Sequence, residues 1–227
     1  TCDYCHTAIG HDGIIGNNHL LHNTEGPKYG QYGGELASEH GTIKSPFVQS
    51  SELCGSCHDV FTYPGVFIDQ VYSEYIQSPS AEYGTECQDC HMSPTPGRTS
   101  QRPDSAIAVD PTGAETYPIR ERAIHRFVGP DYPLVDNFPY PDDIEASQEA
   151  QQEMHRQIQA LLNNSAHIAE MRLERSNPQE LLFTVEVESL TPGHRVPTGL
   201  TSERQMWLEV TIYDSNDTVV FQSGLLD

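Results

Sequence analysis

Basic side chains are scarce in this sequence. Only 12 Lys and Arg stand against 33 Asp and Glu, so the formal net charge is −21 over 227 residues. Such a charge repels phosphate backbones and sets nucleic acid aside as a partner. Long apolar runs are missing as well. No stretch approaches the roughly 18 apolar residues needed to span a bilayer. Apolar residues make up 36% of the chain, the mean hydropathy is −0.53, and there is one Trp. A single large apolar core is therefore not expected, and something else must help to hold the fold. The Leu, Ile, Val and aromatic content still argues against a wholly disordered chain. The length allows one large or two small domains.

No cysteine falls outside one repeated pattern. The six are Cys2-Asp-Tyr-Cys5-His6, Cys54-Gly-Ser-Cys57-His58 and Cys87-Gln-Asp-Cys90-His91. C-x-x-C-H is the attachment pattern of a c-type haem. Two thiols one turn apart add to the two vinyl groups on one porphyrin edge, and the adjacent His then lies under the iron. The rival readings fit less well. A zinc ribbon wants two C-x-x-C pairs about 15–20 residues apart. Here 48 residues separate Cys5 from Cys54, and 29 separate Cys57 from Cys87. Three pairs also cannot be divided into four-ligand sites without a remainder. A disulfide framework needs no His after each second Cys, and a thioredoxin-like pair would occur once. The expectation is three covalent haem c groups, each a large apolar plate that can stand in for the missing core.

The chain divides unevenly. Residues 1–91 hold all three motifs, with 12 acidic and 2 basic residues (net −10), no Arg, and seven of the eleven His. Asn17 to Ser51 reads as loop with short helical turns. Phe67 to Ser78 reads as a short amphipathic helix leading to the third motif. Residues 92–141 are rich in Pro and Gly and read as an extended crossing segment over the haem module. Asp142-Asp143 caps a helix of about Ile144 to Asn163. Period-two alternation follows over Ala166–Arg175, Leu181–Leu190, Arg204–Asp214 and Thr218–Gln222. The fold class expected is α+β. A haem-packed, mostly irregular and short-helix module (1–141) precedes one longer helix and an incomplete Ig-like β-sandwich (142–227). The sequence begins one residue before a motif, with no signal-peptide pattern ahead of it, and the fourth expected strand is the last. The expectation is a longer polypeptide, or a neighbouring chain that completes the sandwich.

Each iron has a second axial face. His6, His58 and His91 take the proximal positions, which leaves eight His for three places. Met92 directly follows a proximal His and cannot reach around its own haem. The surplus of His favours bis-His, low-spin ligation. His194 lies in Thr191-Pro-Gly-His-Arg-Val-Pro-Thr-Gly199, a loop stiffened by Pro and Gly between strands, a good mount for a ligand. His125 has apolar neighbours in the crossing segment, and His40 shortly precedes the second motif. These three lead. His22, His19 and His155 are weaker alternatives. His167 reads as a core residue on an apolar strand face, and His11 as exposed.

Two segments, Ser51-Glu-Leu-Cys-Gly-Ser-Cys-His-Asp59 and Ser78-Pro-Ser-Ala-Glu-Tyr-Gly-Thr-Glu-Cys-Gln-Asp-Cys-His-Met92, resemble multihaem c-type cytochromes. The group is periplasmic and extracellular and is related to tetrahaem and octahaem hydroxylamine-oxidoreductase-like cytochromes. Gly193-His-Arg-Val-Pro-Thr-Gly199 and Arg204-Gln-Met-Trp-Leu-Glu-Val210 resemble the β-sandwich region of some of these. The resemblance implies that His125 and His194 are distal ligands, that maturation occurs outside the cytoplasm, and that the three haems belong to a longer wire. Family members usually carry further motifs upstream. The leading reading is electron transfer rather than an enzyme, with other multihaem cytochromes as redox partners. The acidic surface would lower haem potentials and attract cationic partners and Ca²⁺. Two rivals stand beside it. One is a subunit of a multihaem oxidoreductase acting on nitrogen or sulfur oxyanions, which needs an iron with an open face. The other is a structural subunit of an extracellular haem filament or homo-oligomer.

Overall fold

The computed structural model describes residues 2–33, 40–102, 104–106 and 119–225. The first part is built of short pieces. Helices α1 (Cys2–His6), α2 (Pro46–Gln49), α3 (Ser51–Gly55), α4 (Val71–Tyr75), α5 (Pro79–Glu82) and α6 (Cys87–His91) alternate with two- to four-residue strands. Strand β1 (Ala8–His11) pairs antiparallel with β2 (Leu20–His22), and β3 (Lys28–Gly30) pairs parallel with β4 (Thr42–Lys44). Strand β5 (Val60–Phe61) meets β6 (Phe67–Asp69), and β7 (Asp104–Ala106) meets β8 (Ile119–Glu121). The loop expected over residues 17–51 thus carries three short strands and one helical turn. The Tyr117-Pro118 part of the crossing segment lies outside the described residues.

The helix expected from Phe67 to Ser78 is shorter. Phe67–Asp69 is strand: Phe67 pairs with Phe61 and Asp69 with Val60, with a bulge at Ile68 between them. The Asp69 carboxylate then accepts the Val71 N–H at 3.0 Å, a local bond that competes with helix, and only Val71–Tyr75 coils.

Helix α7 (Ile144–Asn163) falls where the sequence puts it. The Asp143 side chain caps it by accepting the Ala146 N–H at 2.9 Å. Its inner face carries Ser147, Gln151, Ile158 and Leu161, a spacing of three to four residues or two turns. Gln151 donates to the carbonyls of Val135 and Phe138, and Asn164 to that of Pro96. Through these bonds the crossing segment is held along the helix.

Beyond α7, β9 (Ala166–Asn177) and β10 (Glu180–Ser189) form one hairpin, and β11 (Val210–Tyr213) and β12 (Val219–Ser223) another. In the first, Leu173 faces Phe183 and Met171 faces Val185, the apolar face expected from the alternation. A bulge at Ala169 then shifts the register, so Ile168 rather than His167 meets Val187. His167 instead opposes Glu188, with imidazole and carboxylate 3.6 Å apart, and is not the core residue expected of it. The strand expected from Arg204 starts only at Val210. Arg204 itself donates to Thr198 O and to the Asp131 carboxylate, which holds the preceding segment off any ladder.

Both hairpins are two-stranded, and no closed Ig-like sandwich forms among the described residues. The architecture is mixed α+β: short helical and irregular segments, one longer helix, and paired strands. No described helix is long and apolar enough to cross a membrane.

Burial is sparse. Among the described residues the buried apolar side chains are Ala8, Tyr75, Ile158 and Leu161. The chain exposes 15403 Å² of surface. A compact monomer of 25.3 kDa is expected to expose about 10,300 Å².

Candidate haem-attachment site

No disulfide joins any of the six cysteines, and each motif sits on a helix or its last turn. Helix α1 is Cys2-Asp-Tyr-Cys5-His6 and α6 is Cys87-Gln-Asp-Cys90-His91. Cys54 lies in α3, and the turn continues through Cys57 and His58, whose N–H groups both reach the Cys54 carbonyl. In each case the two thiols stand three residues apart on one helical face. Gly55 is needed in the second motif, since a Cβ there would overlap the Tyr72 ring of α4.

The motifs are joined to one another. Ser51, in the first turn of α3, donates through its N–H (2.6 Å) and its hydroxyl (2.5 Å) to Glu86, the residue before α6. Its hydroxyl also accepts the Cys87 N–H at 2.9 Å, and Tyr75 donates to the same Glu86 oxygen. The nearby Cys87 thiol, together with burial, pushes the Cys54 thiol up. The first motif reaches the second through Asn18, whose side chain accepts from both Tyr4 and Cys57.

The histidines fall into two groups. His6 faces His125 with ring centroids 6.2 Å apart and planes 31° from parallel. His91 faces His194 at 6.1 Å and 23°. A metal held between two imidazole nitrogens at about 2 Å each, each nitrogen about 1.1 Å from its ring centre, sets the centroids about 6.2 Å apart. Both pairs match that span. In all four rings Nδ1 lies against a backbone carbonyl: Tyr29 (2.6 Å) for His6, Ala123 (3.0 Å) for His125, Val128 (3.4 Å) for His91 and Arg195 (2.9 Å) for His194. This carbonyl contact is the usual way to fix a ligating ring and leave Nε2 for the metal. Burial holds His91 and His125 below the ordinary imidazole range, so both present a neutral lone pair at neutral pH.

His58 is placed differently. Its side chain is 65% exposed, and its Nδ1 is 3.9 Å from the Asp69 carboxylate. No second imidazole is stacked on it among the described residues. His40 is exposed, with Nδ1 3.2 Å from the Gly41 carbonyl. His22 packs on Tyr4 and shares a hydrogen bond with Thr7, and His19 pairs with Asp12 at 2.9 Å. His155 sits edge-on to Tyr132, and His11 lies between Phe47 and the Glu52 carboxylate.

The sequence reading did not find Asn18, Ser51, Glu86 or Asp69. These are single polar residues with no period or motif. Only the glycine-bounded turn Gly16-Asn-Asn18, with both Asn at positive φ, carries a local signal.

The three CxxC-spaced pairs, each followed by His, are therefore consistent with haem c attachment. No protein-family model, curated protein or solved structure matches the chain.

Proposed function

We propose that the chain binds three haem c groups and transfers electrons along them. The two imidazole pairs at metal-spanning distance, His6–His125 and His91–His194, carry this reading. When bound, the haem iron would cycle between ferric and ferrous states and so pass single electrons. The chain's residues have separate tasks. Cys2 and Cys5, Cys54 and Cys57, and Cys87 and Cys90 would each anchor one porphyrin edge. His6, His58 and His91 would take the proximal positions, and His125 and His194 the distal faces on the first and third motifs. His40, whose Nδ1 is engaged by a carbonyl as in His125 and His194, is the candidate for the second face of the middle haem. His22, His19 and His155 are the alternatives.

The Ser51–Glu86 joint would hold the second and third haems at a fixed spacing, with their attachment edges together at Cys54 and Cys87. Exposed apolar side chains such as Val66, Phe67, Ile76 and Phe127 offer surface for porphyrin faces to cover. A location outside the cytoplasm, other multihaem cytochromes as partners, and a sandwich completed by further strands belong to the same reading, as do units at 1–141 and 142–227. So does attraction of Ca²⁺ to the acidic surface.

The direct test is stoichiometry. Acid–acetone extraction should leave the colour with the protein, and a pyridine haemochrome assay should give three haems per chain. Colour in the solvent, or a zinc content matching the motifs, would end this reading.

A further inference from the structure

We propose that Glu74 is the positioning residue that holds His194 in place as an iron ligand. This rests on the assignment of His194 to the haem of Cys87 and Cys90. Glu74 lies in α4, far from His194 in sequence, and only 6% of its side chain is exposed. Its Oε2 accepts the Arg195 N–H at 3.0 Å and the Thr198 hydroxyl at 2.7 Å. These donors stand one and four residues past the ligand. The Arg195 guanidinium is 4.0 Å from Oε1, which has no hydrogen-bond partner of its own. On the other side of the ligand, the Ser80 N–H of α5 donates to the Pro192 carbonyl at 3.3 Å. The loop is thus gripped before and after His194 by two helices of the motif-bearing part.

A buried carboxylate is costly unless donors converge on it, and here the donors belong to the ligand loop. The backbone of Arg195 also supplies the carbonyl that orients His194 Nδ1. Glu74 therefore fixes both the N–H and, through the same residue, the acceptor that aims the ring. Thr198 adds a second hold, and its carbonyl is taken by Arg204.

Cyanide competition on the ferric, haem-loaded protein reads this hold. Cyanide must displace His194, so its apparent affinity for that haem scales with the fraction of loop that is open. Glu74→Ala removes the acceptor of two charge-assisted hydrogen bonds and should raise that affinity about tenfold or more. The change should be confined to one haem of three, with a rise in its high-spin signal that added imidazole reverses. Glu74→Gln keeps an acceptor oxygen but sets an amide NH₂ near the guanidinium, and should give a smaller change. Thr198→Val, which removes one donor and leaves the carboxylate, should act in the same direction.

Equal cyanide affinity and spin state in Glu74→Ala and wild type would overturn the proposal. So would an equal rise at all three haems, which is general destabilisation. If Glu74→Ala does not accumulate, an unchanged Thr198→Val spectrum and cyanide affinity overturn it instead. His194→Ala separates the two layers. If that variant keeps three low-spin haems, the ligand assignment fails. If it opens one haem while Glu74→Ala opens none, the clamp alone is wrong.

Discussion

His194→Ala is expected to turn one haem of three high-spin, raise its potential, and open the C-terminal hairpins to protease. The spin change follows from the 6.1 Å spacing of the His91 and His194 rings, which suits one iron between two Nε2 atoms. With haem bound, loss of the His194 imidazole would remove a strong-field ligand. The potential should rise by on the order of 100 mV, a modest part of the roughly 0.8 V that axial ligands span. The protease effect follows from connectivity. The loop from Pro192 to Thr198 is where the segment after β10 touches α4 and α5, and no disulfide joins the two parts among the described residues. His167→Ala is the control. His167 opposes Glu188 across the hairpin, and its loss should leave the haem spectrum unchanged. Low-temperature EPR with redox titration and limited proteolysis checks all three effects. Three low-spin haems at unchanged potentials would move the ligand role to His22, His40 or His155.

What was legible in the sequence was whatever a local rule controls. The motif spacing marks three CxxC pairs, each followed by His, and each sits on a helical turn. A capping Asp and an i, i+3/i+4 pattern placed α7 to the residue, because a 20-residue amphipathic helix is set by its own sequence. The β9–β10 hairpin was read from alternation, but the bulge at Ala169 was not, and it moved His167 to the opposite face. The strand read from Arg204 to Asp214 begins only at Val210 for a tertiary reason, since Arg204 is taken up by Thr198 and Asp131. His194 stood out for the stiff, Pro- and Gly-marked loop around it, and His125 for its apolar neighbours in the crossing segment. The partners facing them did not stand out, because His6 and His125 are more than a hundred residues apart and no periodicity links them. Asn18, Ser51, Glu86 and Glu74 were invisible for the same cause: each acts through hydrogen bonds to residues distant in the chain.

Replacing all six cysteines with Ser should abolish cooperative unfolding. Without attached haem, the chain has few apolar contacts of its own to lose. Among the described residues four apolar side chains are buried, and two of these, Ile158 and Leu161, belong to one helix. Every sheet among the described residues is two-stranded, and an isolated two-stranded ribbon is marginal in water. Six helices of the first part have four or five residues each, too short to persist alone. Large apolar side chains such as Tyr63, Leu134, Met171 and Trp207 stand exposed, so apolar area needs covering. Three covalent porphyrins would cover it, and each iron–imidazole pair would tie distant segments such as α1 to His125 and α6 to His194. The haem-free variant should therefore keep only partial far-UV helicity, from α7 with its Asp143 cap, and lose near-UV signal. It should melt without a defined midpoint and be cut within the first 141 residues, while the haem-loaded protein melts sharply. A haem-free variant with a sharp transition close to that of the loaded protein would mean that polypeptide packing, not porphyrin, holds the fold.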